Sequence, residues 1–134
     1  MRKIAQARQA STLVEMGLLI SLLMMVTLGI LELGRAWFDF NLVTQAVRVA
    51  ARQATVQPAL QVNDARILQH IDATLQDGGL VATQRSVGFA LPLKTGDRVH
   101  VSAEVAFRPF VSLIFSQGFT GIPLRAAVDA RYEL

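Results

Sequence analysis

One run, Met16 to Leu31, contains no charged residue, and it limits what the rest of the chain can become. As a helix it rises about 24 Å, against about 30 Å of bilayer hydrocarbon. Adding Ser11–Val14 before it and Leu33 after it makes the segment long enough to span. Arg2, Lys3 and Arg8 are the only charges ahead of Ser11. That bias predicts a cytoplasmic N-terminus, with the remainder of the chain on the outer side. The basic start resembles the n-region of an export signal, but "ELGRAWFDF" follows Leu31 without a small-x-small cleavage site. The run therefore reads as a retained anchor. Glu15, at its edge, reads either as the polar boundary of the span or as an acid with a task.

The chain's 134 residues suffice for one small domain. Hydrophobic residues make up 52% and charged residues 17%, and the apolar excess is concentrated in the span. With no cysteine there is no disulfide framework, thiolate nucleophile or cysteine metal site. Net charge is +3, from 13 Lys/Arg and 10 Asp/Glu; the first ten residues hold three of the bases, so the remainder balances at ten against ten. The basicity belongs to the N-terminal tag, which argues against nucleic-acid binding by the domain itself.

The helix is expected to continue beyond the span. Arg35 to Thr55 lacks proline and glycine, and Phe40, Val43, Val47, Ala50, Ala51 and Ala54 form one stripe, with Asp39, Gln45, Arg48 and Arg52 largely off it. A helix from Ser11 to Thr55 would be on the order of 65 Å long. Pro58 ends the pattern. "NDARILQHIDATLQDGG" predicts a second helix, with Asn63 or Asp64 as N-cap, Ile67, Leu68, Ile71 and Leu75 buried, and Gly78–Gly79 as the stop. "RSVGFALPL" alternates weakly and "RVHVSAEVAF" cleanly, with "KTGD" as the turn between them; "IPLRAAVDARY" offers a third strand. Phe110, Leu113, Ile114, Phe115 and Phe119 mark an apolar connection that reads as core more readily than as a docking patch. Such strands need a cover, and the amphipathic half of the long helix has the matching stripe. The fold class is α+β: a long N-terminal helix packed on a small second helix and a three- to four-stranded antiparallel sheet. The divisions are a basic leader over 1–10, a transmembrane part over 11–33, an amphipathic extension over 34–57 and a small extracytoplasmic head over 58–134.

"A|STLVE", a small residue followed by a glutamate at the fifth position, resembles the processing site of type IV pilin-like precursors. In that family a membrane aspartic protease, the prepilin peptidase, cuts after Gly and sometimes Ala. The resemblance implies a cut between Ala10 and Ser11 and a new α-amine on Ser11. Ala10 stands where glycine is commonest in the family, and Met16 where an aromatic is usual. Ser11 and Glu15 lie four apart on one helix face. A carboxylate held in an apolar layer needs a counter-charge, and the family's pairing implies that the amine of a neighbouring subunit supplies it.

"GILELGRA" and "AVRVAARQA" extend the likeness: together with "LVE" they resemble the TadE-like branch, minor pilins or pseudopilins of the tight adherence (Flp-type) pilus machinery. The resemblance covers residues 10–54 and implies a membrane-anchored, pilin-like subunit without a cofactor or a reaction of its own. It implies other minor pilins, the major pilin, the prepilin peptidase, an inner-membrane assembly platform and membrane lipid as partners, with an assembly ATPase acting indirectly. Glu15 would serve subunit assembly, and Glu32 with Arg35 subunit packing. The implied location is the bacterial inner membrane, with a periplasmic C-terminal domain and incorporation into a surface pilus. Two rivals share parts of the pattern: a type II secretion pseudopilin, and an unprocessed single-span protein with a periplasmic binding domain.

The remaining polar residues give weak patterns. His70 and His100 lack a second ligand at metal spacing, and Asp72 and Asp77 do not make a calcium loop. No Ser–His–Asp motif or paired carboxylates stand out, so neither a catalytic nor a metal site is expected. Glu32–Arg35 and Arg35–Asp39 can pair on the helix surface as ordinary ion pairs. Trp37, Phe38 and Phe40 read as an interfacial aromatic anchor or as sheet packing, with packing favoured for Phe40.

Overall fold

A computed structural model describes the backbone of residues 2–58, 60–90, 94–110 and 121–133, with side chains from Thr12 onward. It divides into two compact units, Met1–Arg35 and Ala36–Leu134.

Helix α1 runs from Arg2 to Thr55. It starts nine residues before the expected Ser11, because the tag "RKIAQARQA" has no glycine or proline and is rich in strong helix formers. In the first unit every described residue from Thr12 to Leu31 is exposed. Beyond Thr12, the two hydroxyls of this stretch are satisfied within the helix: Ser21 Oγ donates to Gly17 O and Thr27 Oγ1 to Leu23 O, each at 2.8 Å. An apolar medium can surround such a helix without stranding a hydroxyl.

The second unit holds the rest of α1, helix α2 (Ala65–Asp77) and strands β1 (Ala82–Phe89), β2 (Arg98–Phe107) and β3 (Ile122–Arg131). The described strands form one antiparallel sheet in the order β1-β2-β3, which makes the class α+β. Central β2 alternates as its sequence demands: Val99, Val101, Ala103, Val105 and Phe107 are buried on one face. Register sets Val87 opposite Val101 and Ala126 opposite Ala103. Against this face pack Val43, Ala46, Val47, Ala50, Ala51 and Ala54 of α1, with Ile67, Ile71 and Leu75 of α2. Each of the three α2 residues contributes about 1.5–3 kcal/mol by leaving water. Leu68 is only partly buried.

Two expectations change here. Phe40 remains 38% exposed, while Ala46 is buried in the stripe. The core begins at Leu42 and Val43, so Phe40 lies one turn short of the sheet and meets Trp37 instead, their ring centroids 6.4 Å apart. Strand β1 begins at Ala82, earlier than "RSVGFALPL" suggested, because a register irregularity between Ala82 and Gln84 breaks the alternation a reader would follow. Leu91, Leu93, Leu113, Ile114, Phe115 and Phe119 lie outside the described residues.

Local chemistry fixes the joints. Asp64 caps α2, its Oδ1 accepting from Arg66 N–H at 3.0 Å. Gly78 closes α2 where a Cβ would collide with Leu42 of α1. Asn63, at φ 55°, donates its N–H to Val87 O and accepts Val87 N–H at its side-chain oxygen, docking on the free side of β1. In the turn before β2, Lys94 N–H donates to Asp97 Oδ2 and Gly96 adopts φ 93°.

Candidate assembly and anchoring segment

The α1 backbone carries the proposed cut between Ala10 and Ser11, whose side chains lie outside the described ones. Glu15 follows four residues after Ser11, so the two positions share a face. Its side chain is exposed and makes no hydrogen bond or ion pair with any described side chain. A carboxylate so placed, beside apolar surface, has to draw its compensating charge or hydrogen bonds from beyond those side chains.

Glu32 and Arg35 meet: Arg35 Nη1 lies 3.9 Å from a Glu32 carboxylate oxygen, with the glutamate side chain 15% exposed and the arginine 46%. At that separation and exposure the pair contributes a few tenths of a kcal/mol in water, roughly. It lies about 25 Å along the helix from Glu15 and about 100° around it, so the two acidic positions are separate features.

Trp37 and Phe38 follow, 68% and 61% exposed. Asn41 Nδ2 donates to Trp37 O, and Thr44 Oγ1 to Phe40 O, so polar side chains here also fold back on the helix.

Elsewhere the polar residues pair singly. His100 Nδ1 lies 2.6 Å from Asp129 Oδ1 on the open sheet face, both residues about half exposed. His70 is exposed on α2, beside Arg66, Gln69 and Ala73. Arg85 reaches Asp72 of α2 at 3.0 Å, a tie between sheet and helix that the sequence did not reveal. Among the described residues no three His, Cys, Asp or Glu side chains group to hold a metal ion. A depression of about 390 Å³ on the open sheet face is floored by Ser86 and Ser102, whose hydroxyls bond to each other at 2.8 Å, with Glu104 and Arg125 at its rim.

The chain has one described helix long and apolar enough to cross a membrane, and its apolar window is wholly uncovered. In sequence comparisons, the model of the family described as TadE-like protein matches residues 10–52. No curated protein and no solved structure matches the chain.

Proposed function

We propose, from the premise that residues 10–52 are TadE-like, that the chain is a minor pilin or pseudopilin that takes part in assembling or priming a Tad-type pilus used for surface adherence. The observation that carries the reading is the coincidence of that match with an uncovered apolar helix bearing Glu15 at its edge. The helix anchors the subunit in the inner membrane with its C-terminal domain in the periplasm. The prepilin peptidase cuts after Ala10, leaving a Ser11 amine. As protomers stack, the amine of one offsets Glu15 of the next, because a carboxylate in a low-dielectric layer gains most from a close, hydrogen-bonded opposite charge. The partners are other minor pilins, the major pilin and the membrane platform. The chain performs no reaction itself.

Deleting the chromosomal copy and counting surface filaments tests the role: an unchanged count removes it. Mass spectrometry of native protein tests the processing. An N-terminus at Ser11 supports it; retention of Met1 where prepilin peptidase is active leaves a single-span membrane protein with an outer domain.

A further inference from the structure

The Ala36–Leu134 unit has two ends, and the exposed large apolar side chains among its described residues are unevenly divided between them. One end is where α1 begins within the unit. There Gly78 touches Leu42, so the turn between α2 and β1 lies beside the first core turn of α1. The same end holds the start of β1, the end of β2 and the start of β3, since Ala82 pairs with Val105 and Phe107 with Ile122. The opposite end is fixed by Thr55, whose carbonyl accepts Glu133 N–H at 3.0 Å. At the first end Trp37, Phe38, Val81, Phe110 and Ile122 are 68%, 61%, 75%, 57% and 49% exposed. Among the described residues, Val56, next to Thr55 in sequence, and Val62, just before α2, are the exposed large apolar residues toward the opposite end.

We infer that this first end, comprising Trp37 and Phe38 of α1, Val81 of the α2–β1 turn and Ile122 at the start of β3, is seated in the lipid headgroup interface of the bilayer that α1 spans. The inference rests on the anchoring part of the proposed function and is independent of the pilus role.

Three observations select lipid as the occupant. Trp37 comes four residues after Leu33, the end of the span, in the sequence of α1, about 6 Å of helix rise and within a headgroup layer of roughly 5–8 Å on each side of the hydrocarbon. The patch is thus continuous in sequence with a segment already suited to hydrocarbon. Its composition also fits that layer, where an indole sits with its apolar body inward and its N–H toward water. Finally, Asp77 and Arg108 are exposed at the same end, which limits the depth to the interface and excludes the acyl core. The far end lies about 27 Å further along α1 from Trp37, beyond any headgroup.

Trp37 is the chain's one tryptophan and therefore a native probe. The full chain, reconstituted in phosphatidylcholine vesicles, is compared with and without bromine on the upper acyl chains. Trp37 emission should shift to the blue and lose most of its intensity to the bromolipid. In a Trp37→Phe background, tryptophan introduced by Val81→Trp or Ile122→Trp should be quenched likewise, and by Val62→Trp at the far end should not. All three positions are exposed, so the added rings displace no core. Quenching of Trp37 alone would overturn the inference by showing that the sheet end stands off the membrane. Quenching of Val62→Trp to the same degree would do so by showing adsorption without orientation. Shielding of Val81→Trp and Ile122→Trp from aqueous acrylamide without bromolipid quenching would assign the patch to a protein partner or a second copy instead. If the chain fails to float with vesicles, the anchoring reading and this inference fall together. If it floats and the probes behave as expected, loss of the pilus role would leave the inference standing.

Discussion

The hydroxyl of Tyr132 donates a hydrogen bond of 2.9 Å to the carbonyl of Gln57, across 75 positions of sequence. Glu133 N–H, its neighbour, donates to Thr55 O at 3.0 Å. The last turn of a helix leaves carbonyls without partners, and here the end of the final strand supplies the donors. Tyr132 is 7% exposed, so its ring also closes the core. Tyr132→Phe removes one donor and should cost about 0.5–1.5 kcal/mol. Tyr132→Ala also opens a cavity and should cost about 3–5 kcal/mol. Thermal unfolding of the detergent-solubilised chain, followed by circular dichroism, checks the order; equal effects of the two substitutions would mean that the ring contributes nothing.

Gly78 ends α2 against Leu42, with no room for a Cβ. Gly78→Ala should destabilise the second unit by about 1 kcal/mol, the low end for overpacking, because the obstacle is the terminal methyl of the partly buried Leu42, which can shift. Because the obstacle is a side chain, Leu42→Ala should show positive coupling with it: the double variant loses less than the two single losses combined. Strict additivity in a denaturant-unfolding cycle would place the strain elsewhere.

The α1 face toward the sheet is built from Ala46, Ala50, Ala51 and Ala54, all at most 2% exposed. These small side chains are fully enclosed, with no surface left for a larger one to occupy. Ala50→Leu should therefore lower stability by about 1–3 kcal/mol, although leucine is nearly as good a helix former and more apolar. A variant with an unchanged or raised midpoint would show that the interface is loose.

Glu15 makes no described side-chain contact within its own chain, so its loss should spare the fold. Glu15→Ala is expected to insert in the membrane as the parent does and to be missing from sheared filaments. Glu15→Gln, which keeps the shape but not the charge, should behave the same way. Fractionation and immunoblotting of membranes and filaments read both; normal incorporation of either variant removes the charge-pairing argument.

Periodicity made most of the architecture legible before any coordinates. β2 could be delimited residue by residue because alternation over Val99, Val101, Ala103 and Val105 is unbroken. The α2 cap and stop were readable because Asp64 and Gly78 act on their own neighbours. What stayed hidden depends on long-range geometry. Tyr132 reaching Gln57, or Arg85 reaching Asp72, leaves no local pattern. Phe40 fitted the helical period of the core, but where the sheet ends along α1 is a tertiary fact. The Glu15 segment was legible as a motif, whereas its counter-charge belongs to no described side chain of this protein.

Asn63 has a consequence for how copies of the chain can crowd together. By occupying both the N–H and the C=O of Val87, it plugs the outer flank of β1 with the protein's own backbone and amide. A neighbour arriving at that flank finds the rungs at Val87 already taken, and on the other outer strand Pro123 lacks an N–H to offer. Copies of the chain are thereby discouraged from zipping sheet to sheet into a ribbon at these positions.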